Sequence, residues 1–101
     1  MKTYELMYIL DEGQNADGGD AFIKEAEAYI SSLGGSVVET SSLGRRTFKH
    51  AIGKQRAGNY WTVILKLPPD KVLVLKENYR LNTSVLRIEI FISTQAESVD
   101  S

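Results

Sequence analysis

Apolar and polar residues alternate near the start of the chain, where TYELMYIL spans residues 3–10. A period of two, carried by several β-forming residues, predicts a β-strand with two different faces. One face carries Leu6, Tyr8 and Leu10, and the other carries Met7 and Ile9.

The pattern becomes helical in AFIKEAEAYISSL, residues 21–33. Apolar side chains recur there at intervals of three or four residues, which predicts an amphipathic α-helix. The polar loop DEGQNADGGD precedes it, and we expect Asp17 or Asp20 to cap the helix. We expect the helix to end at Gly34 and Gly35. The predicted buried stripe contains Phe22, Ala26, Tyr29, Ile30 and Leu33.

Two extended runs follow, SVVETSS at residues 36–42 and NYWTVILKL at residues 59–67. Because they are rich in β-branched and aromatic residues, they predict the two strands of a long hairpin. The basic residues between them then form the arm and the tip of that hairpin. We expect the odd positions of the second run to face the core, namely Trp61, Val63, Leu65 and Leu67.

The last third of the chain predicts one more helix and one more strand. Pro68, Pro69 and Asp70 begin the helix, because proline is tolerated in a first turn. Its predicted buried stripe is Val72, Leu75 and Tyr79. SVLRIEIFI, residues 84–92, alternates again and predicts the final strand. We expect one face of it to hold Leu86, Ile88, Ile90 and Ile92, and the other to hold Arg87, Glu89 and Phe91.

The order β-α-β-β-α-β predicts an α+β fold of the ferredoxin-like type, a four-stranded antiparallel sheet with both helices on one face. We expect a single domain over residues 1–93, because the chain of 101 residues suffices for one small core, and a flexible polar tail over residues 94–101. The other sheet face stays open. It would expose an apolar cluster of the kind that usually marks a partner, formed by Met7, Ile9, Tyr60, Ile64 and Phe91.

The charges are segregated along the chain, although the net charge is only −1. Residues 1–40 contain eight acidic and two basic side chains, whereas residues 41–92 contain three acidic and ten basic ones. The stretch GRRTFKHAIGKQRAG, residues 44–58, holds five of these cations and the only histidine, with no acid. Since nucleic acid responds to the local potential, an acidic overall balance does not exclude RNA.

The sequence lacks the residues that several other classes of function require. With no cysteine and a single histidine, His50, the chain offers no thiolate metal site and no Cys-His pair. DEGQNADGGD lacks the spacing of a calcium loop, and no glycine-rich phosphate loop is present. We expect no catalytic residue, metal, cofactor or small-molecule substrate. With no signal-peptide pattern and no membrane-length apolar run, we also expect a soluble, cytoplasmic protein that does not associate with membranes.

The basic stretch has two interpretations. It is either a solvated hairpin whose charges only aid solubility, or a surface that binds RNA. The absence of interspersed acids favours RNA, because surfaces that serve solubility usually mix both signs. Arginine forks suit phosphate oxygens, and Tyr60 or Tyr4 could stack on a base.

Four segments carry a resemblance to a known family. They are YELMYIL, GRRTFKHAIGK, GNYW and YRLNTSVLRIEIF, which occur in this order between residues 4 and 91. Together they resemble bacterial ribosomal small-subunit protein six over about residues 3–92. In that family an opening Gly and a basic pair lead to a Leu-Ala-Tyr-x-Ile-x-Lys segment, a Gly-aromatic-aromatic strand start and an Arg-Leu-Asn-x-x-Val-Leu-Arg segment. The matching positions here are Gly44, Arg45, Arg46, Ile52, Lys54, Gly58, Tyr60, Arg80, Leu81, Asn82, Val85, Leu86 and Arg87.

The resemblance implies a structural protein of the small ribosomal subunit, acting in its assembly and in translation. Its implied partners are the central domain of small-subunit ribosomal RNA and small-subunit ribosomal protein eighteen. The expected RNA contacts are Lys2, Tyr4, Arg45, Arg46, Lys49, Lys54, Arg56, Arg80 and Arg87. The expected contacts with the protein partner are Phe48, His50, Ile52, Tyr60 and Ile64.

The chain departs from the family where Phe48, Lys49 and His50 replace Leu-Ala-Tyr. His50 could take over an aromatic contact, or it could be an exposed hairpin histidine. A different class of function also stays open, a stand-alone ferredoxin-like module that dimerises through Met7, Ile9 and Phe91 on its open sheet face. The two classes differ in solution, because we expect the ribosomal protein to be a monomer when isolated and the module to be a dimer.

Overall fold

The computed structural model describes residues 1–92. Its helices and strands occur in the expected order β-α-β-β-α-β. They are β1 (Lys2–Leu10), α1 (Asp20–Ser32), β2 (Ser36–Ile52), β3 (Gln55–Leu67), α2 (Val72–Arg80) and β4 (Val85–Ile92), with a short 3-10 turn at Pro69–Lys71 before α2. The predicted tail, residues 94–101, lies outside the described residues.

The four strands form one antiparallel sheet in the order β2-β3-β1-β4. Strand β1 therefore lies inside the sheet, and the long β2 is an edge strand. Ile9 of β1 pairs with Tyr60 on one side and with Arg87 on the other, so these three residues form one row across the sheet. The ferredoxin-like fold predicted from the order of elements is confirmed.

Both helices pack on the same sheet face and form the core with it. The odd positions of β3 face this core as expected, and Leu6, Tyr8 and Leu10 of β1 are fully buried. Helix α1 contributes Phe22, Ala26 and Ile30 of the predicted stripe and also Ile23, which the helical pattern did not single out. The other two residues of the stripe, Tyr29 and Leu33, are partly buried against this core. Leu75 and Tyr79 of α2 complete the core.

Tyr4 and Leu86 do not occupy their predicted positions. Tyr4 is only 6% exposed and belongs to the core, so its ring cannot stack on an RNA base. In β4 the pairing shifts between Ile9 and Leu10, where β1 changes partner from Arg87 to Val85. Because of this bulge, Val85 packs against the core in the place expected for Leu86.

The loop between β1 and α1 is tied to the rest of the fold by hydrogen bonds. The buried amide of Asn15 donates to the carbonyl oxygens of Asp11, at 2.8 Å, and Ser84, at 3.1 Å. Asp17 accepts from the backbone N–H groups of Gly19, at 3.0 Å, and Ala21, at 2.9 Å. Of the two expected caps, Asp17 is thus the carboxylate that binds the first turn of α1, and Asp20 is the first helical residue.

The basic stretch lies almost entirely within the β2–β3 hairpin. Ile52 pairs with Gln55, which leaves a two-residue turn of Gly53 and Lys54. Gly53 has φ of 59° at the first turn position, where a tight hairpin turn uses glycine. Arg45 and Arg46 therefore lie in the paired strands and Lys54 in the tight turn, whereas Lys49 and Arg56 lie in the irregular segment between the pairs Thr47–Ala57 and Ile52–Gln55.

Candidate nucleic-acid interface

A groove of about 700 Å³ lies between the tip of the β2–β3 hairpin and the open face of the sheet. The row formed by Tyr60, Ile9 and Arg87 is its floor, and the β2 end of the hairpin, residues 47–53, is its wall. We call this the hairpin groove. Its lining residues are Ile9, Thr47, Phe48, Lys49, His50, Ala51, Ile52, Gly53, Tyr60 and Arg87.

The side chains of Phe48 and Ile9 both approach Gly58 closely. A Cβ atom on Gly58 would lie 3.1 Å from Cζ of Phe48 and 3.0 Å from Cγ2 of Ile9. Only glycine leaves space for this close approach. Ile9 is consequently 4% exposed although it belongs to the open face, so the expectation that Ile9 is an exposed part of the apolar cluster is wrong.

Tyr60 is half-buried and is contacted by two neighbours on the open face. The guanidinium carbon of Arg46 lies 5.8 Å from the centre of its ring, within the range of a cation–π interaction. The ring of Phe48 lies 6.2 Å away at an angle of 51°. These contacts restrain the orientation of the Tyr60 ring beside the groove.

The open face carries a cationic zone at the groove and an acidic zone farther along, and Lys66, which pairs with Thr3, lies beyond the acidic zone. The groove end carries Lys49, Arg87 and His50, and no carboxylate lines the groove. Farther along the same face, cross-strand pairing places Glu39 and Glu5 beside Ile64, and Glu89 beside Met7. We call this second zone the acidic half, and it consists of Glu5, Met7, Glu39, Ile64, Glu89 and Phe91.

Sequence reasoning placed Glu89 on the same face as Phe91 but named only apolar residues as the partner surface. The alternation that places Met7 and Phe91 on the open face also places Glu5 and Glu89 there, so the signal was present in the sequence. Glu39 could not be found in this way. A bulge in β2 between Val37 and Glu39 sets its face, and the sequence gives no sign of that bulge.

Six of the eight expected RNA-contacting cations lie outside the groove lining, and of these six only Arg46 lies beside it. Lys2 pairs with Leu67 at the far end of the sheet, about 23 Å from Ile9 at roughly 3.3 Å per residue. Arg45 forms an ion pair with Glu12, and Arg80 forms one of 3.0 Å with Glu77. Lys54 and Arg56 are exposed near the hairpin turn.

The side chains of Arg45 and Arg46 lie on opposite faces of the hairpin. Arg46 pairs with Gly58 in the strand ladder, on the side of Tyr60, whereas Arg45 pairs with Asn59 on the other side. The two members of the basic pair therefore have different surroundings. Only Arg46 lies beside the hairpin groove, against Tyr60.

The described part of the chain contains neither a cluster of metal-ligating side chains nor a membrane-spanning helix. Within residues 1–92, no three carboxylate or histidine side chains come together as a metal site. No helix in that range is long and apolar enough to cross a bilayer.

Known proteins match both the sequence and the fold. A family model described as Ribosomal protein S6 matches residues 3–91. The small ribosomal subunit protein bS6 of Salinispora arenicola is 36% identical over 94 residues, covering 89% of this chain and 94% of that protein. The bS6 protein of Elusimicrobium minutum is 31% identical over 98 residues, covering 97% and 94%. The crystal structure of 30S ribosomal protein S6 from Thermotoga maritima has the same fold, with a TM-score of 0.87 at 19% identity, covering 98% of this chain and 94% of that one.

Proposed function

Since the chain belongs to the ribosomal protein S6 family, we propose that it binds the central domain of small-subunit ribosomal RNA together with small-subunit ribosomal protein eighteen. The observation that carries this proposal is the division of the open sheet face into a cationic groove and an acidic half. One face thereby offers two surfaces of opposite charge to two different partners.

Family membership itself gives a coarser description of the protein. It is a structural protein of the small ribosomal subunit, it associates with ribosomal RNA there, and it acts in translation. The family is structural rather than enzymatic, and its members are cytoplasmic proteins of the ribosome.

The cationic end of the open face supports the RNA part of the proposal. Arg46, Lys49 and Arg87 lie at the groove, and Lys54 and Arg56 extend the positive charge to the hairpin turn. Phosphate contacts from such side chains set the affinity and the register of a protein on RNA. Lys2 and Arg80 are expected to contact RNA only outside the groove, and Arg45, which is paired with Glu12, is no longer expected to contact a phosphate.

The acidic half supports the part of the proposal that concerns the protein partner. Phe91 is 52% exposed, and half-buried Ile64 and Met7 extend the apolar surface around it. Carboxylates interspersed with apolar side chains suit a cationic protein segment better than they suit RNA. Of the contacts expected for the protein partner, Ile64 lies here, whereas Phe48, His50, Ile52 and Tyr60 line the groove.

The dimeric module is the weaker alternative. Ile9, one of its three expected contacts, is buried within the protein's own fold. In a symmetric dimer, Glu5 and Glu89 of both copies would also meet one another, and like charges across an interface are unfavourable. We therefore expect a monomer on a calibrated sizing column, and a dimer would favour the module.

RNA binding tests the proposal directly. The full chain is titrated with protein eighteen present into a labelled central-domain fragment of small-subunit RNA at several salt concentrations. We expect tight binding whose logarithm falls linearly with the logarithm of salt, and Arg87→Ala should reduce the slope by about one unit. Affinity no greater than for an unrelated RNA duplex would contradict the proposal, and an unchanged slope would remove Arg87 from the contacts.

A further inference from the structure

We propose that the hairpin groove holds one unpaired nucleotide of the ribosomal RNA, with its base against Tyr60 and its phosphate at Arg87. This inference rests on the proposed function, because it names the part of the RNA that this site takes. It gives Tyr60 to RNA, although sequence reasoning offered this residue both to a base and to the protein partner, and it reassigns Phe48 from the protein partner.

The dimensions of the groove suit a nucleotide. Its volume of about 700 Å³ lies within the range of sites that hold small organic ligands. Tyr60 and Arg87 occupy the same row, separated by β1, so their backbones are about 10 Å apart at two strand spacings. A nucleotide carries its base and its phosphate at opposite ends and can therefore reach both residues.

The charge of the groove selects an anion. Lys49, His50 and Arg87 are its ionisable basic groups, and none of its lining residues is an acid. Arg46 adds a further cation beside Tyr60. A cationic protein segment would be repelled here and attracted to the acidic half, whereas a phosphate is attracted to the groove.

The apolar part of the groove suits a flat base. The contacts of Arg46 and Phe48 with Tyr60 orient its ring before any ligand arrives, and Ile52 supplies an apolar wall. Stacking on an aromatic side chain is a common way to bind a base that is not stacked on neighbouring bases. Bases within a duplex are paired and stacked inside it, so the ligand must be an unpaired nucleotide.

The first arm of the test compares Tyr60→Ala with Tyr60→Phe in the full chain, bound to the central-domain RNA fragment with protein eighteen. We expect Tyr60→Ala to weaken binding by about 5- to 150-fold, the range for losing one base–aromatic stack, without changing the salt slope. Tyr60→Phe keeps the ring and should bind within about threefold of the wild type. Leu73→Ala, an exposed substitution on α2, is the control and should have no effect.

A second pair of variants alters the groove and leaves the core unchanged, so that a loss of RNA binding does not simply reflect misfolding. Ile52→Asp places an acid in the groove at the end of the hairpin, away from the core cluster. The new carboxylate should repel the phosphate and weaken binding, whereas Ile52→Ala should bind more tightly than Ile52→Asp. Thermal unfolding of each variant confirms that the fold is retained. Equal affinities for the two Ile52 variants would overturn the inference.

The second arm identifies what occupies the groove. Ultraviolet cross-linking of the same complex, followed by digestion and mass spectrometry, should yield a nucleotide adduct within residues 48–60. An adduct found only outside this segment, or a cross-link from this segment to protein eighteen, would overturn the inference.

If the wild-type chain fails to bind the RNA at all, the proposed function itself fails. If the wild type binds and Tyr60→Ala binds equally well, only the groove inference fails.

Discussion

At the scale of single residues, Tyr8 combines complete burial with an unsatisfied polar group. Its ring meets Phe22 and Tyr79 edge to face, at centroid distances of 5.1 Å and 5.2 Å. Its hydroxyl has no hydrogen-bond partner of normal geometry among the described residues. Burial raises the pKa of Tyr8, and the nearby Tyr79 hydroxyl raises this pKa further. A buried hydroxyl without a partner lowers stability, so its removal should be tolerated.

We therefore predict that Tyr8→Phe leaves the free energy of unfolding unchanged or raises it by up to about 1 kcal/mol. Because the folded-state pKa lies above the ordinary value of 10.0, wild-type stability is complete below that pH and falls above it. The variant should lose less stability between pH 9 and 11. Urea unfolding at several pH values measures both effects, with Tyr60→Phe, a substitution outside the core, as the control. A loss of more than about 1 kcal/mol at neutral pH would indicate a real hydrogen bond.

The Asp17 carboxylate gives a prediction at acidic pH. Its hydrogen bonds from the N–H groups of Ala21 and Gly19 lower its pKa below the ordinary value of 3.8. Its contribution to stability is therefore complete above about pH 4 and is lost as the pH falls through the folded-state pKa. The difference in urea midpoint between the wild type and Asp17→Asn should shrink on acidification from pH 6 to 3. A constant difference would show that the charge of Asp17 makes no contribution, and Asp20→Asn provides the control.

At the scale of elements, the β2–β3 hairpin determines the shape of the groove, and Gly58 determines how closely the hairpin packs. We predict that Gly58→Ala destabilises the fold by about 1–3 kcal/mol, because the new Cβ would lie 2.9 Å from the carbonyl oxygen of Leu10 and 3.1 Å from Phe48. The measurement is urea unfolding. Gly13→Ala, where a Cβ would make only an ordinary contact of 3.4 Å, is the control. Equal stability of the two variants would show that Phe48 does not depend on this close approach.

The ion pair of Arg45 and Glu12 joins the hairpin arm to the β1–α1 loop. Both side chains are exposed, so we predict a coupling energy of only about 0.2–1 kcal/mol in a double-mutant cycle of unfolding. Because Glu12 already neutralises Arg45, Arg45→Ala should leave the salt slope of RNA binding unchanged. Arg46→Ala is the control and should reduce the slope by about one unit. A slope reduced equally by both substitutions would make Arg45 a phosphate contact.

The elements follow from the sequence because each buries one face against a common core. Period-two and helical patterns identify every strand and helix, and Pro68 and Gly34 mark boundaries that backbone chemistry imposes. The bulge in β4 could not be predicted. Val85 and Leu86 are both apolar, and the position of the bulge is set by pairing with β1, which lies far away in the sequence.

At the scale of the whole molecule, the cationic groove could be predicted only from the fold and the charge pattern together. The basic stretch was visible in the sequence, but its partners in the groove, Ile9 and Arg87, come from strands β1 and β4. Sequence reasoning assigned the cations and Tyr4 to RNA, and His50 with Phe48, Ile52, Tyr60 and Ile64 to the protein partner. The structure places members of both groups in one groove and places the acidic half farther along the same face. The cationic and acidic surfaces are therefore separated along the length of the strands, and each of them contains both charged and apolar side chains.

The measurement that tests the central claim most directly is the affinity of the full chain for the central-domain RNA fragment, with and without protein eighteen, at one fixed salt concentration. If the open face serves RNA at one end and a cationic protein at the other, the partner brings additional positive charge beside the groove, and the affinity for RNA should rise by at least tenfold. Equal affinity in the presence and absence of protein eighteen would contradict the account of one face that binds two partners.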